Sequence, residues 1–195
     1  MVLSALIISI TPAGRRIFSQ ACYEFGFNDR RDETGLLEIH ILDVGKADAI
    51  LIRSQDHAAL IDAGKFDAAD TVADYLLRHK VTALDYLIMS HPDSDHIGGM
   101  PGVLGEISVG AFVQADTGYF SEEGSGLSAL LSMLEQNGTD TMSMEPGDSF
   151  TMGQAVFTAI GPMGSFEDPN NSSLVLRMDC RDFSALFCGC LLYTS

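Results

Sequence analysis

Ser90-His91-Pro92-Asp93-Ser94-Asp95-His96-Ile97-Gly98-Gly99 is the stretch whose reading decides the fold. It places two histidines and two aspartates within six positions, directly after the apolar run Tyr86-Leu87-Ile88-Met89. Imidazole and carboxylate are the donors that hold zinc, manganese and related ions. In an extended loop alternate residues point the same way, so His91, Asp93 and Asp95 are expected to converge, with His96 reaching a second ion. Gly98-Gly99 lets the backbone turn sharply behind these side chains. A capping turn or a solvated surface loop explains one or two such residues, not four followed by paired glycines. The pattern points to a hydrolytic metal site at the end of a strand.

Outward from this loop, residues 37–42 alternate as a strand, residues 43–48 form a turn, and residues 49–53 and 58–62 are strands joined by the hairpin Ser54-Gln55-Asp56-His57. From Asp67 to His79 the spacing predicts a helix, with Ala68, Val72, Tyr75, Leu76 and His79 on one face. Residues 84–89 form the strand before the His/Asp loop. Residues 98–104 start a helix or tight turn, 109–114 are a strand, and 126–136 a helix around Leu127, Leu130, Leu131 and Leu134. Beyond that, short strands at 141–144, 148–150, 155–160, 173–178 and 183–187 alternate with Gly, Pro, Asn and Asp turns. Strands and helices mixed in this order imply an α/β or α+β sandwich.

The 195 residues suffice for one domain with a core, and 46% hydrophobic against 19% charged residues describes a globular chain. The formal net charge of −16 argues against a broad DNA-binding face, whose affinity comes from Lys and Arg. It does not exclude a nuclease, because divalent ions supply positive charge at the reacting phosphate. The cysteines, Cys22, Cys180, Cys188 and Cys190, include no CxxC pair, and Cys188-Gly189-Cys190 is too tight for an ordinary disulfide. Free, largely buried thiols are expected. The apolar run Val2 to Ile10 is shorter than the roughly 20 residues that span a bilayer, and the basic pair Arg15-Arg16 follows rather than precedes it. The stub of a membrane helix, a weak signal anchor and a buried segment all remain open for it. Residues 1–35 divide into this segment and a polar linker, 36–189 form the folded domain, and 190–195 a tail.

Four motifs carry a resemblance. They are Asp43-Val44-Gly45-Lys46-Ala47-Asp48-Ala49, Leu60-Ile61-Asp62-Ala63-Gly64, Ser90 to Gly99, and Asn170-Asn171-Ser172-Ser173-Leu174-Val175-Leu176. In this order, over roughly residues 37 to 189, they resemble the metallo-β-lactamase superfamily. The likeness is greatest to its ComEC-type competence proteins and their stand-alone relatives. The resemblance implies an αββα sandwich with two divalent ions, zinc or manganese, at one edge of its sheets. It implies that His91 and Asp93 bind one ion, and Asp95 and His96 the other. The carboxylate of Asp93 stands where many relatives have histidine, which suits manganese. Asp95 is the group expected to orient the attacking water. Asp62 corresponds to a strand-end aspartate that supports the ligand loop from behind; a helix N-cap role is its alternative. Asp48 either helps shape the same floor or is simply a turn residue. The Asn170-Asn171 loop is expected to stand near the metals as a substrate or ligand loop.

The chain also departs from the family. No histidine follows His96, and Cys188-Gly189-Cys190 stands where Thr-Gly-Asp is expected. A thiolate at Cys190 has the chemistry to bind zinc. The residues from Cys190 to Ser195 do not resemble the family, which suggests an incomplete or chimaeric reading frame with an incomplete second metal site. The expected activity is phosphodiester hydrolysis on DNA, as in DNA uptake. The alternatives are hydrolysis of a small ester, lactam or phosphorylated metabolite, and a non-catalytic module. A membrane-associated or extracytoplasmic location is expected rather than a cytoplasmic one.

Overall fold

The computed structural model describes residues 37–116, 126–164, 166 and 168–191. The apolar run Val2–Ile10, the linker, Cys22 and residues 192–195 lie outside the described residues. Strand β1 is Leu37–Ile41, β2 Ile50–Ser54 and β3 His57–Ile61, each antiparallel to the next. The β2–β3 hairpin closes with Ser54 opposite His57, and Gln55 takes φ 57° in the turn. Chain alternation decides which way each strand faces. On β2 and β3, Leu51, Ala58 and Leu60 face one side, while Ile52, Ala59 and Ile61 face the other.

After β3 a short 3-10 turn, Phe66–Ala68, leads into α1, Ala69–Arg78. Val72, Ala73, Leu76 and Leu77 of α1 are buried, and Asp70 in its first turn and Arg78 in its last complement the helix dipole. The chain returns as β4, Ala83–Ile88, parallel to β3. It continues through α2 (Ser94–Ile97), α3 (Met100–Glu106), β5 (Ser108–Ala115), α4 (Leu127–Gln136) and β6 (Asp140–Met144). The strands β3 to β6 are parallel neighbours, giving a six-stranded sheet in the order β1 to β6. A second, antiparallel sheet contains β7 (Ser149–Met152), β8 (Ala155–Gly161), β9 (Val175–Cys180) and β10 (Phe183–Phe187), in the order β10-β9-β8-β7.

Two cores result. Leu51, Leu60, Leu87 and Phe112 pack against Leu76, Val103 and Leu130 of the helices. Ile52, Ile61, Ile88 and Val113 pack against Phe150, Phe157, Leu176 and Met178 of the second sheet. Leu60 is fully buried, and truncating such a leucine to alanine costs about 2–5 kcal/mol.

The layers are thus helix, sheet, sheet. The fourth layer of an αββα sandwich is not found among the described residues. The outer face of the second sheet exposes Val156 at 40% and Leu186 at 56%. Two expectations shift for local reasons. Strand β9 begins at Val175 rather than Ser173, because Pro169–Ser172 form a 3-10 turn. Residues Ser94–Ile97 are helical, so the His/Asp loop is not extended along its length. Among the described residues no helix is long and apolar enough to cross a membrane.

Candidate metal centre

The site grows from two parallel neighbours. Ile61 and Ile88 are register partners at the ends of β3 and β4, so the residues after them emerge side by side. The Asp62 N–H donates to the Ile88 carbonyl at 2.9 Å. Asp62 then takes φ 56°, a left-handed conformation that non-glycine residues adopt at some cost and that clusters at functional sites. Its buried carboxylate accepts the Ser90 N–H at 2.9 Å on Oδ1. On Oδ2 it accepts the Ser90 hydroxyl at 2.5 Å and meets His96 Nδ1 at 2.7 Å. The helix-cap alternative for Asp62 fails, because Ala68 stands at the N-cap of α1.

Main-chain bonds tie the three N-terminal motifs together. The Ala63 N–H donates to the His96 carbonyl at 2.8 Å, Gly99 to Gly64 at 2.9 Å, and Gly64 to Asp48 at 2.8 Å. A Cβ on Gly99 would collide with the Ala63 carbonyl, and one on Gly98 would lie 2.7 Å from the Phe66 nitrogen. These glycines permit backbone approach that no side chain allows.

Within this frame both imidazoles are buried, with ring centroids 4.0 Å apart. His91 Nδ1 lies 3.0 Å from Ser90 Oγ, while its Nε2 has no hydrogen-bond partner; the Asp93 carboxylate stands 3.5 Å from it. His96 Nε2 lies 3.3 Å from Cys190 Sγ. Burial, reinforced by the charge of His96, holds His91 below the usual histidine pKa. Burial also works against the charged form of His96, but the hydrogen bond and charge of Asp62 outweigh it and raise the pKa. Burial, then the carboxylates of Asp48, Asp95, Asp62 and Asp93, pushes the Cys190 thiol up.

Among the described residues, two groups of ligand atoms gather, each with its atoms within 4.8 Å of one another: His91, His96 and Cys190, and Asp48, Asp62 and His96. Of the expected ligands, His91 and His96 come together in the first group. Asp93 is the N-cap residue of α2 and lies beside His91. Asp95 sits in the first turn of α2, its carbonyl facing the Asp48 N–H at 3.4 Å, and its carboxylate belongs to neither group. The helical turn replaces the alternation that was to bring Asp93 and Asp95 onto one side. Asp48 is exposed, with its carboxylate 3.9 Å from His96 Nδ1. Asn170 and Asn171 lie in the 3-10 turn; the Asn170 carbonyl accepts the Ser173 hydroxyl at 2.6 Å. The next residue but one after Asn171, Ser173, precedes Leu174, whose N–H donates to the Ser90 carbonyl at 2.8 Å and docks the turn on the site.

Sequence reading missed Ser90 and Ser173. Cys190, which the resemblance set in the place of a family aspartate, lies beside His96. Gly189, at φ 54°, packs so closely that a Cβ would lie 2.9 Å from Ser90 Cβ. A glycine just past a strand end was the available signal. The donor set suits a divalent ion. The buried, unpartnered Nε2 of His91 and the converging atoms of His96 and Cys190 lie where four carboxylates bias the field toward a cation.

A profile of the metallo-beta-lactamase superfamily matches residues 42–195. The chain belongs to this superfamily. Superfamily members are typically metal-dependent hydrolases that bind divalent ions, often zinc. No curated protein matches the chain. Among solved structures it is similar to a Cronobacter sakazakii metallo-beta-lactamase with a HARLDQ motif (TM-score 0.55, 15% identity, 77% of this chain and 58% of that one). It is also similar to BJP-1, a subclass B3 metallo-beta-lactamase of Bradyrhizobium japonicum (TM-score 0.54, 18% identity, 78% and 60%). A third is CmlA, a diiron beta-hydroxylase from Streptomyces venezuelae (TM-score 0.55, 18% identity, 86% and 34%). These likenesses concern the fold. The chain spans about three-fifths of the length of the two lactamases.

Proposed function

We propose that this superfamily member is a metal-dependent phosphodiesterase of the ComEC-type branch, acting on DNA. The observation that carries the metal-dependent part is the pair of buried imidazoles, with His91 Nε2 unpartnered and His96 Nε2 aimed at the same pocket. His91 and His96 would hold the ion, with Asp48 and Asp93 offering oxygen donors from the mouth. A bound divalent ion supplies Lewis acidity and lowers the pKa of water. Asp95, at the start of α2, is the residue assigned to orient the water, while Asp62 and Ser90 hold the imidazoles in place. The oxygen donors favour manganese beside zinc, and a second ion is part of the proposal. The phosphodiester assignment rests on the four motifs in their order.

A second reading, hydrolysis of a small ester, lactam or phosphorylated metabolite, is favoured by the net charge of −16. The similar structures include both lactamases and a hydroxylase, so the fold leaves the substrate open. The test is a purified chain loaded with manganese or zinc and offered single-stranded DNA, a chromogenic phosphodiester and a chromogenic lactam, each with and without chelator. Chelator-sensitive DNA cleavage is expected. Cleavage of the lactam alone would support the second reading, and no bound metal by elemental analysis would mark a non-catalytic module.

A further inference from the structure

We infer that Ser90 is a positioning residue that fixes the proton of His91 on Nδ1 and leaves Nε2 bare toward the metal pocket. This rests on the metal-centre reading above. An oxygen–oxygen separation of 2.5 Å between Ser90 Oγ and Asp62 Oδ2 requires a proton between them. The serine hydroxyl has one proton, so it is committed to Asp62. Toward His91 Nδ1, at 3.0 Å, Ser90 Oγ therefore only accepts. A neutral imidazole donating from Nδ1 carries its lone pair on Nε2, and Nε2 is the ring atom left buried without a hydrogen-bond partner, the Asp93 carboxylate standing 3.5 Å away.

Asp62 thus controls both imidazoles. It receives the Nδ1 proton of His96 directly, at 2.7 Å, and acts on His91 through one hydroxyl. The Ser90 N–H on Asp62 Oδ1 and the Leu174 N–H on the Ser90 carbonyl pin the serine backbone from two sheets. Ser90 is fully enclosed, so bulk water does not compete for its hydroxyl. Serine at this position is then a relay of hydrogen-bond direction, which neither alanine nor a donor-only side chain reproduces.

The test uses the full chain, chelated, at a pH above the imidazole range, with nitrogen-labelled histidine. Long-range nitrogen–proton correlation spectra report which ring nitrogen carries the proton. The wild type is expected to show His91 protonated on Nδ1. Ser90→Ala should give a mixture of tautomers and a loss in zinc affinity of roughly 10–100-fold. Ser90→Thr, which keeps the hydroxyl, should restore both. A wild-type His91 protonated on Nε2 overturns the inference, and that measurement needs no variant to fold. So does a Ser90→Ala protein that keeps the Nδ1 tautomer and wild-type zinc affinity. Should the wild type show the Nδ1 tautomer yet bind neither zinc nor manganese, the tautomer assignment stands and the metal reading falls.

Discussion

Replacing Asp62 with asparagine removes one charge and one acceptor from the centre of the site while preserving shape. Asparagine also tolerates the φ of 56° that Asp62 adopts, so backbone strain adds little. Asp62 accepts three buried bonds: the Ser90 N–H, the Ser90 hydroxyl and His96 Nδ1–H. With the amide oxygen in the Oδ2 position, the last two survive as neutral bonds. The amide NH2 then faces the Ser90 N–H, donor against donor. One unsatisfied buried donor costs about 1–3 kcal/mol, and the loss of charge assistance on two bonds adds about 1 kcal/mol. The expected destabilisation is about 2–4 kcal/mol, a large share of the roughly 5–15 kcal/mol that holds a domain together. Urea denaturation in chelator is the assay. With a slope of about 2 kcal/mol per M, the midpoint should fall by about 1–2 M. A shift within about 0.5 kcal/mol of wild type, the range of ordinary surface changes, would refute the reasoning that this carboxylate organises the loop.

Gly99→Ala should lower stability by at least about 1–3 kcal/mol, since its Cβ collides with main chain rather than a movable side chain; a melting curve checks it. Cys190→Asp should shift metal preference from zinc and cadmium toward manganese, because a hard oxygen replaces sulfur beside His96; competition titration should show the ratio move, and an unchanged ratio would place Cys190 outside the coordination shell. Leu186→Lys, on the open face of the second sheet, should leave stability within about 0.5 kcal/mol and reduce self-association in light scattering.

The strands were legible wherever alternation met burial. Leu51 and Ile52 of β2 point to different cores, and period-two patterning reports that directly. His91 and His96 were legible because imidazoles this dense have few other uses. Their mutual arrangement was not. Four residues, Ser94–Ile97, are too few for helical periodicity to register, and that one turn decides where Asp93 and Asp95 stand. Ser90 was passed over because hydroxyls are everywhere in a sequence, and its role exists only when Asp62, 28 residues away, comes to meet it. Cys190 meets His96 across a separation of 94 residues, through the closure of one sheet upon the other. Local pattern carries no information at that range.

The interlocked main chains of Ala63, Gly64 and Gly99 have a consequence for how such a centre changes over time. Much of the scaffold around the imidazoles is held by amides and carbonyls that every sequence possesses, with the glycines and the Asp62 carboxylate as its compositional demands. Donor atoms at the mouth, such as those of Asp48 and Asp93, hang from that scaffold without supporting it. Exchanging carboxylate, imidazole or thiol at those positions would therefore retune the preferred ion while the architecture beneath stays put.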